Sequence, residues 1–181
     1  MIGFLFIVAI DRGGGGGGGG DDILCFTRDA LVEMIDGSFK NISDVKKGDL
    51  VRTGFPGEQG LVTDLLTHEV FKDVVVGVLS TPFGDLVGTL DHPIYFNGQW
   101  MEMIDAMKHG HDENKGDQVM KLEGRIDIIN VDIFYNLEID GDLPGSSSHS
   151  YVVNGIIASG LGDNENLNTL FARQKSWRSI D

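Results

Sequence analysis

The sequence predicts an all-β fold, compact and built from hairpins, with a short helix at its C-terminal end. Asp36-Gly37, Asn97-Gly98 and Asn154-Gly155 each stand between apolar runs, as two-residue hairpin turns with positive φ angles require. β-Branched residues dominate "DVVVGVLST" (73–81) and "RIDIINVDIFYNLEI" (125–139), the composition that fits a pleated, half-buried surface. The tail "NENLNTLFARQKSW" spaces Leu167, Leu170, Phe171, Gln174 and Trp177 three and four residues apart, mostly one apolar stripe of a helix.

Taken in order, the chain starts with ten apolar residues, "MIGFLFIVAI", half of the roughly 20 that a membrane-spanning helix needs. A secretory signal wants a basic start, whereas the first basic residue here, Arg12, follows the apolar run. The preferred reading makes this run the last buried strand of an upstream domain and Gly13 to Gly20 a flexible linker. Residues 1–22 are thus set apart from a β-domain over 23–160 and a tail over 161–181. Within the domain, the Asp36-Gly37 hairpin is followed by a strand in "GDLVRT" (48–53) and by the 73–81 strand, then by the Asn97-Gly98 hairpin. "MKHGHDENKGDQ" (107–118) is polar and glycine-punctuated, so it reads as a solvent loop. The 125–139 strand and the Asn154-Gly155 hairpin close the domain.

Charge and cysteine content narrow the function. The 181 residues hold 28 acidic and 14 basic side chains, a formal charge of −14 that repels phosphate backbones and anionic lipid surfaces. Nucleic acid is excluded as a partner on that ground, and no membrane span is expected. A single cysteine, Cys25, cannot form an internal disulfide, so its thiol is either a small hydrophobe or chemistry. His109 and His111 in "HGHDE" read as solvated surface rather than metal ligands, and neither a metal nor a cofactor is expected.

Cys25-Phe26, Ala30 to Glu33, Asp36-Gly37-Ser38, Ile42, Gly48-Asp49 and Val51 resemble the opening block of Hint domains, the self-processing module shared by inteins and Hedgehog C-terminal domains. "TLDH" (89–92) matches the Thr-x-x-His block of that family, and "FYNLEID…HSYVVNGIIASG" (134–160) resembles its closing strands. The resemblance implies a β-domain whose two ends meet at one site. It also implies that Cys25 attacks the carbonyl of Leu24, turning the Leu24–Cys25 peptide bond into a thioester. Such an acyl shift needs a thiolate, a stabilised oxyanion and a proton for the departing amine. An ordinary thiol with pKa ~8.5 is only about a few per cent ionised at neutral pH, so a base must assist it. His92 can take the thiol proton and return one to the amine, and Thr89 offers a hydroxyl to hold the scissile bond. His149 aligns with the later histidine that assists C-terminal cleavage.

Departures from the intein pattern limit the expected reaction. The ending "GIIASGLGD" puts Ser159 and Gly160 where inteins carry His-Asn, and Leu161 where they carry a nucleophile, so no side-chain amide is present to cyclise. Asn136 stands where intein sequences often carry Asp. Asp64 lies in the stretch where a Hedgehog-type base for sterol transfer would fall. The expectation is therefore cleavage or transfer of the upstream segment without splicing. The substrate is the chain's own N-terminal flank, water or a small nucleophile is the acceptor, and the protein acts as a monomer. The alternative is a vestigial Hint fold that serves as a binding or spacer module.

Overall fold

In the computed structural model of the chain, the described residues are 24–54, 59–109, 122–140 and 149–162. The apolar start, the glycine linker, the tail helix, His111 and most of the expected solvent loop lie outside them.

Eleven strands and one α-helix make up this part: β1 (Leu31–Glu33), β2 (Phe39–Asn41), β3 (Leu50–Arg52), β4 (Gln59–Thr81), β5 (Gly84–Gly88), β6 (Pro93–Phe96), β7 (Gln99–Glu102), α1 (Met103–His109), β8 (Glu123–Asp140), β9 (Ser150–Val153), β10 (Ile156–Ser159) and β11 (Leu161–Gly162). A six-stranded sheet runs β2-β1-β9-β10-β6-β7, and a five-stranded sheet runs β11-β8-β4-β3 with β5 paired to β4. The fold is all-β, as the sequence predicts. Phe26, Val32, Ile42, Val51, Val62, Leu79, Leu86, Ile94, Leu137, Ile139, Tyr151 and Val153 form the centre of one apolar core.

The turns differ in a way the dipeptides alone do not reveal. Asn97 and Gly98 (φ +51° and +82°) and Asn154 and Gly155 (φ +47° and +75°) all take the left-handed conformation that a type I′ turn demands. Asp36 does not. There Met34 N–H bonds Ser38 O at 2.8 Å, leaving a three-residue loop in which Gly37 alone has positive φ (+82°). The Asp36 carboxylate instead accepts from Ser38 N and Oγ at 2.9 and 2.6 Å, a local bond that settles the longer loop.

The reading of 107–118 as solvent loop also needs correction at its start, because α1 continues to His109. Met103, Ala106 and Met107 are buried at helical spacing. The two methionine side chains fill the space that Gly77 and Gly124 leave open, where an added Cβ would lie 2.7 Å from Met103 Sδ and 2.3 Å from Met107 Cγ. The apolar stripe is three residues long and straddles the start of a polar run, so sequence patterning misses it.

The longest pairing joins β4 to β8, with register shifts at Val62/Asp64 and Glu69/Lys72. Side chains alternate across a strand, so Phe134, Asn136 and Glu138 share one face of β8 while Tyr135, Leu137 and Ile139 share the other. Leu137 and Ile139 enter the main core, whereas Phe134 joins a separate cluster with Cys25, Val76 and Val78. The face carrying Asn136 is where the chain's first described residues dock.

Candidate active site

Residues 25–27 lie between β8 and the end of β5. Phe26 exchanges both backbone hydrogen bonds with Tyr135 at 2.8 Å, Thr27 N–H bonds Val87 O at 3.0 Å, and Thr89 N–H bonds Cys25 O at 3.0 Å. Gly88 permits this close approach, since a Cβ there would sit 2.6 Å from the Phe26 ring and 3.0 Å from Cys25 O. Phe26 points into the main core, and alternation turns Cys25 to the opposite side.

The Leu24–Cys25 peptide bond is held on both sides. Asn136 Nδ2 donates to Leu24 O at 2.9 Å, and Cys25 N–H reaches Thr89 Oγ1 at 3.4 Å. The Asn136 amide has a fixed orientation, because its Oδ1 accepts from Leu137 N–H at 2.8 Å and from the Tyr151 hydroxyl at 2.9 Å. Burial, followed by the nearby Cys25 thiol, pushes the Tyr151 phenol well above its ordinary range, so it stays a neutral donor.

His92 follows Thr89 by one tight turn, with His92 N–H on Thr89 O at 3.1 Å, and its ring packs on Phe26 at 4.0 Å between centroids. The imidazole is fully buried, and neither ring nitrogen makes a hydrogen bond within bonding geometry. Burial drives its pKa down to about 3, against an opposing pull from the backbone of Ser159 and Leu24. The ring is thus neutral and lies near the backbone of both the entry and exit strands. Cys25 sits among Val76, Val78 and Phe134, where burial first, and then the charge of Asp91, pushes its thiol up to about 12.

Thr89, His92 and Cys25, all read from the sequence, are brought around one peptide bond. His149 lies at the exit side of the domain: its Nδ1 bonds Ile139 O at 2.8 Å, and its backbone carbonyl receives Gly160 N–H at 2.8 Å. Asp64 pairs in register with Glu138 and turns its carboxylate back onto Leu65 N–H at 2.9 Å. Sequence reasoning noted Asn136 as a departure but missed its contact with Leu24 O. That contact spans 112 positions of sequence and carries no local signal. Among the described residues, no group of three or more His, Cys, Asp or Glu side chains converges to hold a metal, and no helix is long and apolar enough to cross a membrane.

A two-sheet β-fold whose first strand is clamped beside its closing strands defines a Hint-type domain. The family model Vint, described as a Hint-domain, matches residues 24–122, and the chain belongs to the Hint-domain family. Its fold is similar to a bacterial intein-like domain from Clostridium thermocellum, with 19% identity and a TM-score of 0.55 over 76% of this chain and 99% of that one. It is also similar to a mutant of an Ssp DnaB mini-intein variant, with 14% identity and a TM-score of 0.56 over 79% and 96% of the two chains. A DnaB intein from Synechocystis sp. PCC 6803 shares 16% identity and a TM-score of 0.52 over 75% and 97%. No curated protein matches the sequence.

Proposed function

We propose that this domain processes its own chain at Leu24–Cys25, forming a thioester that passes the upstream segment to water or a small nucleophile, without splicing. The observation that supports this reading is the polar grip on one peptide bond, with Asn136 at its carbonyl oxygen and Thr89 at its nitrogen.

In the resting state the thiol keeps its proton and His92 is neutral, because burial opposes charge on both. The proton therefore leaves sulfur for His92 as the Sγ–C bond forms, rather than beforehand. Negative charge gathers on Leu24 O, where Asn136 Nδ2 already donates; such preorganised donors act most strongly where charge develops. The new imidazolium and oxyanion form together in a dry site and offset each other's burial. Collapse of the tetrahedral adduct breaks the C–N bond, and His92 gives its proton to the amine of Cys25, which Thr89 Oγ1 adjoins. Water, a thiol or an amine then attacks the thioester and frees the Cys25 thiol.

Gly160 carries no amide to cyclise, and Leu161 carries no nucleophile, so the exit side has no matching chemistry. Hydroxylamine or an added thiol should speed release of a fragment ending at Leu24, read by mass. Cleavage indifferent to both, or confined to the glycine linker, would instead mark a contaminating protease. An intact folded chain under these conditions would favour the vestigial reading.

A further inference from the structure

Leu24 is almost fully buried, and its side chain is not part of the main core. It forms a separate apolar cluster with Leu161, against which Leu66 packs. Leu66 and Leu161 stand on one face of the five-stranded sheet, and Leu24 packs there with them. Leu66 is in register with Asn136, and Leu161 runs parallel beside Glu138, two residues further along the same face. The cluster therefore lies next to the amide that holds the Leu24 carbonyl.

Leu161 reaches this place because of the residue before it. Gly160 passes so close to β8 that an added Cβ would lie 2.7 Å from Leu137 O and 2.8 Å from His149 O. The chain crosses there, and β11 joins the sheet at once, with Leu161 opposite Glu138 and Gly162 opposite Ile139.

We propose that Leu66 and Leu161 form a pocket that selects a leucine-sized aliphatic side chain immediately before Cys25, so that the strand after the closing hairpin is part of the processing site. This rests on the self-processing reading and adds to it the identity of the upstream residue the site accepts. A larger side chain would overfill the pocket and move the carbonyl away from Asn136, since a closely packed site answers an added ring by shifting. A charged side chain would lose its hydration with no partner within the cluster. A shift of about 1 Å in a reacting group is enough to cost on the order of 100-fold in rate.

The test uses the full chain with hydroxylamine, following the Leu24-side fragment by mass. Leu24→Phe and Leu24→Asp are expected to slow release at least about 10-fold, as carbonyl misplacement implies. Adding Leu161→Ala to Leu24→Phe should recover most of the lost rate, while Leu161→Ala alone should slow the native Leu24 chain. Equal rates for Leu, Phe and Asp at position 24, or no recovery in the double variant, would overturn the pocket. A second measurement separates this from failure of the processing reading itself. In a Cys25→Ala chain, which cannot form the thioester, denaturation midpoints of Leu24→Ala, Leu161→Ala and the pair are compared. Additive shifts overturn the pocket. Non-additive shifts there, together with a native Cys25 chain that hydroxylamine never cleaves, leave the grip on Leu24 standing and overturn processing instead.

Discussion

The domain handles its two junctions in opposite ways. On the entry side, the Leu24–Cys25 bond meets side chains at its polar atoms: an amide at the oxygen and a hydroxyl at the nitrogen. On the exit side, Ser159–Gly160–Leu161 meets mainly backbone, with Gly160 N–H on His149 O, Leu161 zipped beside β8, and the Ser159 hydroxyl turned onto its neighbour's carbonyl at 3.2 Å. Both are buried and both adjoin β8, so burial alone does not distinguish them. What differs is that the Asn136 amide and the Thr89 hydroxyl hold the polar atoms of the entry peptide bond.

The sharpest way to break this comparison is to remove the thiol. Cys25→Ala should abolish cleavage, with no fragment ending at Leu24 or near Gly160, while far-UV circular dichroism stays unchanged; residual cutting at either junction would contradict the asymmetry. Next in size is loss of the proposed proton carrier or the proposed oxyanion donor. His92→Ala should lower the rate by roughly 10²-fold or more, the usual worth of a positioned acid–base group. Asn136→Ala should cost about 10²-fold, the lower end for an oxyanion donor. Asn136→Asp sharpens the point: a carboxylate can accept from Leu137 N–H and Tyr151 but cannot donate to Leu24 O. It should be as slow as Asn136→Ala at neutral pH, and an accelerated Asp variant would mean that this position serves as a base.

A smaller effect is expected on the exit side. Gly160→Asn restores an amide to the junction, but its Cβ would meet two backbone oxygens at 2.7 and 2.8 Å. It should destabilise the fold by about 1–3 kcal/mol, as overpacking does, and still release no tail. Urea denaturation and mass analysis together check both outcomes, and release of the tail would show that sequence alone disables this side.

The smallest effect at neutral pH, and the broadest across pH, concerns stability. His92 has a folded pKa of about 3 against 6.5 unfolded, so the unfolded chain binds the extra proton and stability falls as pH drops from about 6.5 toward 3. Cys25 has a folded pKa of about 12 against 9.0, so the unfolded chain loses its proton first and stability falls as pH rises past 9. Denaturation midpoints from these two groups should be flat between those limits. His92→Gln should flatten the acid limb and Cys25→Ala the alkaline one.

How much of this is written in the sequence depends on distance along the chain. The β class, two of the three tight turns and the Thr89–His92 spacing are local, set within a few residues by turn chemistry and alternation. Cys25 stands out as the only cysteine, ahead of a patterned strand. Asn136 does not, because its role comes from the register of β8 against residues far upstream, and in the sequence it shows only as the absence of an aspartate. Leu161 likewise reads as a position lacking a nucleophile, and only the close crossing at Gly160 reveals what it packs against. The hairpin at Asp36-Gly37 misleads because a side-chain bond to Ser38 competes with the two-residue turn, and the three-residue stripe of α1 is too short to stand out beside a polar run.

A thiol with a pKa of about 12 is also protected from its surroundings. At neutral pH burial disfavours the thiolate, which is the form that peroxides and disulfides attack. Steric cover by Val76, Val78 and Phe134 adds to that resistance. The same burial that keeps the sulfur protonated thus shields it from external oxidants.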